Sequence, residues 1–220
     1  SRPPDAVGCP SYAAAARAIA ERAGNFRWIG YLSANGVYGD YGGDWVNEDS
    51  ELRATSARAL RRVNAERQWR ELARAHDLPL ITFRLPGIYG PGRSALETVR
   101  AGKARRIYKQ GQVFSRMHVG DIAAALDASM TTPRRVDLYN LADDEPAPPQ
   151  DVIEYACKLL GVAPPPLTPL EDANLSAMAK SFYADNKRVE NARMKESLGV
   201  ALAYPSYREG LNAIAKDLRQ

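Results

Sequence analysis

Hydrophobic residues along the chain fall into short apolar runs and longer stretches with a helical period. The runs at 27–33, 80–84 and 136–141 are short and bounded by polar or glycine-containing turns, which is typical of buried parallel strands. Helical patterns or strong helix formers lie at 11–23, 55–76, 94–101, 120–130 and 150–161. This alternation predicts an α/β fold built on a parallel sheet.

The C-terminal part of the chain has a different pattern. The proline-rich tract 163–169 predicts a stiff linker, and residues 171–218 are mainly helical with a break at Tyr204-Pro205. We therefore divide the chain into residues 1–161, an α/β core with insertions, and residues 162–220, a mainly helical segment that completes a small second lobe.

Composition narrows the class of protein. The 220 residues are 45% hydrophobic and a quarter charged, which suits one core or one core with a small lobe. No apolar run is long enough to span a membrane, and the first residues lack a signal-peptide pattern. With only Cys9 and Cys157, far apart, we expect a reduced, cytoplasmic protein rather than a disulfide-stabilised one.

The net charge of +4 comes largely from arginines and lysines within 53–74 and 100–109. Acidic residues interrupt the first group, and no aromatic interleaving or nucleic-acid motif accompanies it. A solvated helix face is the favoured interpretation, a small anionic ligand comes second, and nucleic acid is a distant third. His76 and His118 form no metal-ligand cluster, so we expect no metal site.

Several short motifs occur in a fixed order along the chain. They are Tyr31-Leu-Ser-Ala-Asn-Gly-Val-Tyr-Gly-Asp40, Arg84-Leu-Pro-Gly-Ile-Tyr-Gly-Pro-Gly92, His118-Val-Gly-Asp121, Tyr139-Asn-Leu-Ala142, and Ser197-Leu-Gly199 with Tyr204-Pro205 and Glu209-Gly-Leu211. In this order and spacing they resemble the extended short-chain dehydrogenase/reductase family, the nucleotide-sugar epimerases and dehydratases. The resemblance implies the C-terminal part of a Rossmann-like parallel sheet, a small, mostly helical substrate lobe, and NAD or NADP as cofactor.

Three positions depart from the family's catalytic pattern. The second hydroxyl residue after the first strand is replaced by Ala34, and counting back from Glu66 places Arg58 and Arg62 at the family's tyrosine and lysine positions. An arginine stays protonated and cannot do the tyrosine's proton transfer. We therefore assign no catalytic residue, and the closest resemblance is to the atypical short-chain dehydrogenases, which lack this pair.

A second departure concerns the cofactor. No stretch resembles the family's Gly-x-x-Gly-x-x-Gly loop at the N-terminus of a first helix. The motif alignment places Ser1-Arg-Pro-Pro4 at the end of the family's fourth strand, so the N-terminal nucleotide-binding half is lacking and we favour a fragment. We accordingly expect weak or absent binding of NAD or NADP by this chain.

The resemblance also assigns ligand-contacting residues. Ser33 and the backbone of Pro86, Gly87 and Ile88 are expected to border the cofactor. Asn35, Tyr38, Arg58, Arg62 and Arg116 are expected to contact an anionic substrate.

Some of these assignments have alternatives. Tyr38 could equally pack beneath the loop 39–43. Arg116 lies two residues before His118, whereas the family's phosphate-binding arginine lies four before, where Phe114 stands. The segment 180–188 combines basic, aromatic and amide groups that could close over a ligand, and the alternative there is an ordinary helix N-cap.

The sequence thus predicts an NAD(P)-binding-fold protein of the epimerase/dehydratase type, acting on a sugar nucleotide or similar anionic metabolite. The alternative is a non-catalytic ligand-binding or regulatory protein on the same scaffold. We also expect a homodimer, and neither nucleic acid nor membrane as a partner.

Overall fold

The computed structural model describes residues 3–132 and 137–218. The helices within these ranges are α1 (Pro10–Glu21), α2 (Ala57–His76), α3 (Ala95–Arg100), α4 (Val119–Thr131), α5 (Pro149–Leu160), α6 (Ala177–Phe182), α7 (Ala192–Leu198) and α8 (Tyr207–Asp217). The strands are β1 (Ile29–Ala34), β2 (Trp45–Val46), β3 (Leu80–Leu85), β4 (Gly87–Tyr89), β5 (Arg106–Tyr108), β6 (Arg116–His118), β7 (Leu138–Asn140), β8 (Leu167–Pro169) and β9 (Arg188–Val189). All five predicted helices are present, with ends shifted by one or two residues.

The central sheet contains three strands in the order β1-β3-β7, and all pairs are parallel. Ala34 pairs with Leu85 and Arg84 pairs with Asn140, so the three strands end close together. This arrangement confirms the predicted α/β fold with a Rossmann-like parallel sheet. The third strand is shorter than the predicted range 136–141, and Val136 lies outside the described residues.

The remaining strands form three two-stranded parallel pairs, β2 with β9, β4 with β6 and β5 with β8. Each of these six strands is only two or three residues long, too short for hydrophobic alternation to reveal it. Strand β8 lies at the end of the tract 163–169 and pairs with β5 through Arg106 and Leu167. The prediction of a stiff linker throughout this tract was therefore wrong at its C-terminal end.

Helix α2 packs on the sheet through a narrow stripe of buried residues. Ala65, Trp69 and Ala73 recur every four positions and face α1 and β1, while the rest of the helix is strongly polar. The Ser56 hydroxyl accepts a hydrogen bond from the Ala59 amide and caps the N-terminus. This end of α2 carries Arg58 and Arg62.

The other side of the sheet is covered by α4 and α7. Phe83 and Tyr139 of the sheet pack with Met117, Met194 and Leu198 in one cluster. Residues on both sides of position 161 therefore share a core, and the division of the chain at 161 stays a prediction. Helices α3, α5 and α8 form a separate cluster around Leu96 and Leu211.

No helix in the described ranges has both the length and the apolar character that crossing a membrane requires. Cys9 and Cys157 are both buried free thiols.

Candidate functional site

The predicted cofactor-binding residues lie at the carboxyl edge of the central sheet. β1 ends at Ala34 and leads into a 3-10 turn over Asn35–Tyr38, while β3 ends at Leu85 and leads into Pro86. Because Ala34 and Leu85 are register partners, the two turns lie side by side. In open parallel α/β sheets, ligands bind at this edge.

Arg58 and Arg62 lie beside this edge on the first two turns of α2. The Arg62 Nη1 donates a hydrogen bond of 3.2 Å to the carbonyl oxygen of Leu32 in β1. The Arg58 guanidinium carbon lies 5.2 Å from the centre of the Phe182 ring, in α6. Phe182 thus brings the segment 180–188 against the N-terminus of α2, and the two arginines lie between the sheet edge and α6.

A buried polar network lies beneath the two turns. Ser33 Oγ donates to Glu66 Oε1 at 2.5 Å, and Arg84 donates to both carboxylate oxygens of Glu66. Ser33, Glu66 and Arg84 are all almost fully buried. In this conformation the Ser33 hydroxyl is engaged with Glu66 and does not face a ligand; only its backbone reaches the sheet edge.

Tyr38 lies inside the protein. Its side chain is 0% exposed, its hydroxyl donates to Asn140 Oδ1 at 2.7 Å, and the Arg84 guanidinium lies 4.8 Å from its ring centre. Burial raises the pKa of Tyr38, which keeps the phenol protonated. Tyr38 thus packs against Arg84 and Asn140 and supports the edge in this conformation, and its assignment to the substrate remains a prediction.

Arg116 is next to the second turn but is held by the backbone. It pairs in register with Gly87, and its Nη1 donates to the carbonyl oxygens of Phe114 and Ala147 at 2.8 and 3.0 Å. Burial lowers the pKa of this guanidinium. These contacts give Arg116 a structural role in this conformation, and its assignment to an anionic ligand remains a prediction.

Asp143 follows β7 and lies near Arg116. Its side chain is buried, and its Oδ2 has no hydrogen-bond partner among the described residues. Burial raises the pKa of Asp143 to about 8 although the positive charge of Arg116 lowers it. The carboxyl is therefore largely protonated at neutral pH. Burial of a loop carboxyl leaves no mark in the local sequence, so the role of Asp143 becomes visible only in the folded protein.

The groups left for a ligand at the edge are few. The Asn35 side chain is half-buried and makes no hydrogen bond to any residue in the described ranges, and Gly87 is exposed. His118 is occupied, since its Nδ1 accepts a hydrogen bond from the Gly120 amide and burial lowers its pKa. The side chains at the edge are therefore mainly arginines and an amide, and among the described residues no tyrosine or histidine there has the position of the family's catalytic tyrosine.

The described part of the chain offers no evident cradle for a dinucleotide pyrophosphate. Gly36, Gly39 and Gly42 have the family's spacing, but a β-strand follows them rather than a helix, and a Cβ at Gly39 would lie 2.1 Å from the Arg53 carbonyl oxygen. The N-terminus of α3, after Gly90-Pro-Gly92, is filled by Glu97, which accepts hydrogen bonds from the Gly92 amide and Ser94. The assignment of Pro86–Ile88 to the nicotinamide end of NAD stays a prediction, and none of the described residues forms a free cradle for the pyrophosphate.

Comparison with models of protein families shows to which family the chain belongs. Residues 13–142, more than half of the sequence, match the family described as NAD dependent epimerase/dehydratase. The chain belongs to this family. The chain therefore has the fold of this family. The order of the motifs and the three parallel strands agree with that fold.

Solved structures of other proteins have the same fold as this chain. A functionally unknown conserved protein from Silicibacter pomeroyi is 52% identical, with a TM-score of 0.93, and the match covers 100% of this chain and 76% of that one. The dTDP-glucose 4,6-dehydratase of Bacillus anthracis, solved with NAD, is 19% identical with a TM-score of 0.73 and is matched over 93% of this chain and 66% of that one. The second likeness shows the fold alone.

Among curated proteins, the trifunctional UDP-glucose 4,6-dehydratase/UDP-4-keto-6-deoxy-D-glucose 3,5-epimerase/UDP-4-keto-L-rhamnose-reductase of Arabidopsis thaliana is 25% identical over 187 residues. That match covers 80% of this chain and 27% of the relative. The chain thus spans about a quarter of the length of the curated relatives it matches.

Proposed function

We propose that this epimerase/dehydratase-family protein binds a sugar nucleotide or a similar anionic metabolite at the carboxyl edge of its sheet. The observation that carries the proposal is the placement of Arg58 and Arg62, four residues apart on α2, between the end of β1 and Phe182. Two guanidinium groups, both positively charged and placed beside the carboxyl edge of the sheet, suit the binding of a phosphate or carboxylate group.

The geometry leaves most of the donors of these arginines free. Arg62 donates through Nη1 to the Leu32 carbonyl and lies near the Tyr31 hydroxyl, and the Arg58 guanidinium lies against the face of the Phe182 ring. Each guanidinium has five N–H donors in a planar arrangement. Both arginines therefore have donors for an anion while they keep their contacts with Leu32 and Phe182. Asn35, with its uncommitted amide, would provide a further polar contact from the neighbouring turn.

The chemistry at this edge differs from tyrosine-driven hydride transfer. The residues at the family's three catalytic positions are Ala34, Arg58 and Arg62, and none of them can exchange a proton at neutral pH. This substitution favours a second function, a non-catalytic ligand-binding or regulatory role on the same scaffold. Both the enzymatic and the non-catalytic function require binding of the anionic ligand. Only the enzymatic function converts the ligand into a product.

The test is to incubate the protein with UDP-glucose or UDP-glucuronic acid plus NAD, and to follow both product formation by chromatography and ligand binding by thermal shift. Product formation would support an enzyme in which another residue moves the proton. Stabilisation without product would support the binding role. Neither stabilisation nor product with either compound would overturn the proposal.

A further inference from the structure

The structure contains a groove of about 560 Å³ on the α2 face of the sheet. Its floor is formed by Leu80 and Thr82 of β3, and one wall by Arg70 and Arg74 of α2. The loop 48–52 forms the opposite wall. Since the lining residues Asp77 and Leu78 precede β3, the groove extends to the amino end of that strand, away from the turn at Gly87.

Two neighbouring buried donors, one lining the groove and one on the adjacent strand beside it, lack hydrogen-bond partners within the described residues. Arg84 lines the groove, and its Nη1 is the nitrogen of the guanidinium that makes no hydrogen bond within the described residues. On the adjacent strand, Asn140 is its register partner, and the Nδ2 of Asn140 is likewise unpartnered. Arg84 is 2% and Asn140 0% exposed. Buried donors normally have a partner, so an acceptor oxygen at this end would satisfy them.

The charges that line the groove are balanced. It contains four arginines and four acidic residues, namely Arg70, Arg74, Arg84 and Arg193, and Glu48, Asp49, Asp77 and Asp137. Glu66 of α2 adds one negative charge next to Arg84. A strongly anionic or cationic molecule would therefore meet like charge on one wall, whereas a neutral molecule would not.

Carboxylates and guanidiniums together suit a molecule rich in hydroxyl groups. A carboxylate accepts hydrogen bonds from hydroxyls, and a guanidinium donates to hydroxyl oxygens. Leu78, Leu80 and Leu138 supply apolar surface for the C–H faces of such a molecule. The volume lies within the range of small-molecule pockets.

From these features, we propose that the groove binds a small neutral polyhydroxylated molecule of monosaccharide size. The inner end of the groove lies beneath the carboxyl edge, at Arg84, but the groove extends from there toward Asp77 and Leu78 at the amino end of β3. The proposal does not depend on the proposed function. Arg84 Nη1, which lines the groove, would donate to an acceptor oxygen at the inner end, with Asn140 Nδ2 on the adjacent strand as a second donor. Arg74, which makes no hydrogen bond or ion pair to any described residue, would close the mouth.

The test is saturation-transfer NMR with the free sugars D-glucose, D-galactose, D-mannose and L-rhamnose. Arg74→Trp should block the mouth, and Thr82→Val should remove a hydroxyl from the floor with almost no change in shape. Arg100→Trp is the matched control, since Arg100 is exposed at the end of α3 and is not part of the groove. Circular dichroism would verify that each variant is folded.

At least one sugar should give a transfer signal with the parent and with Arg100→Trp. The signal should fall at least fivefold in Arg74→Trp, fall in Thr82→Val, and survive an excess of UDP-glucuronic acid. Absence of signal with every sugar would overturn the proposal. So would a signal that both groove variants retain, or one that UDP-glucuronic acid removes, because it would come from the carboxyl edge.

Discussion

Arg84 donates two hydrogen bonds to the Glu66 carboxylate in the interior of the protein. Arg84 Nε and Nη2 lie 3.2 and 2.9 Å from the two carboxylate oxygens, and both side chains are 2% exposed. Ser33 donates to the same carboxylate. The pair therefore ties α2 to the carboxyl ends of β1 and β3, and it fixes the helix that presents Arg58 and Arg62 to the site.

Arg84→Ala should destabilise the protein by about 3 kcal/mol, because it leaves the Glu66 carboxylate buried without its main partner. The measurement is urea unfolding at neutral pH. Arg17→Ala is the control, since Arg17 pairs with Glu21 on the surface of α1 and its loss should cost about 0.5 kcal/mol or less. Equal effects of the two substitutions would show that the buried pair does not hold α2.

Asp143 should make stability fall as the pH rises. The folded-state pKa is about 8 and the ordinary value is 3.8, so between these values the folded protein holds a proton that the unfolded chain has lost. Unfolding then becomes easier with rising pH, by at most about 1.4 kcal/mol per pH unit. The charged groups nearby are Arg116, Asp144 and Glu145.

The measurement is the free energy of unfolding of the parent and of Asp143→Asn between pH 7 and 8, where His118 is neutral. The parent should lose stability across this interval and the isosteric variant should lose less. Parallel pH profiles would show that Asp143 is ionised in the folded state.

Gly210→Ala should destabilise α8, although alanine is the better helix former by about 1 kcal/mol. A Cβ at Gly210 would lie 2.2 Å from the Tyr89 hydroxyl oxygen, which itself donates to the Ser206 carbonyl. We expect a loss of about 1–3 kcal/mol from this overlap. Gly24→Ala, with nothing within 4 Å of the added Cβ, should change stability by about 0.5 kcal/mol or less. A stabilised Gly210→Ala variant would contradict the close packing.

Much of the fold could be predicted because long elements carry strong patterns. The helix at 55–76 and the strands near 27–33 and 80–84 differ from the structure by one to two residues at their ends. Strands of two or three residues, such as β2 and β9, depend on partners distant in sequence, and no local pattern encodes that pairing.

Candidate site residues were harder to predict, because a motif position does not reveal where a side chain is directed. The sequence placed Tyr38 and Arg58 equally at the ligand, yet Tyr38 is enclosed by Arg84 and Asn140 while Arg58 stays exposed beside Phe182. The partners that decide these outcomes come from other strands and from α6. Only the tertiary packing brings them together.

Binding of NAD or NADP to this chain should be weak, because no described loop offers a free pyrophosphate cradle. Calorimetry should give a dissociation constant well above the low micromolar range, weaker than about −8 kcal/mol. A low-micromolar constant for either cofactor would show that the pyrophosphate binds elsewhere on the chain.

The most direct test of the central claim is a calorimetric titration of UDP-glucuronic acid into the parent, Arg58→Ala, Arg62→Ala and Arg67→Ala proteins. Arg67 is the control, because it is an exposed arginine on the same helix, 4.0 Å from Glu71. Arg58→Ala and Arg62→Ala should each weaken binding about tenfold, the effect of losing roughly one charge-assisted hydrogen bond. Arg67→Ala should bind like the parent. Binding that is unaffected by both Arg58→Ala and Arg62→Ala, or weakened equally by all three substitutions, would contradict the account.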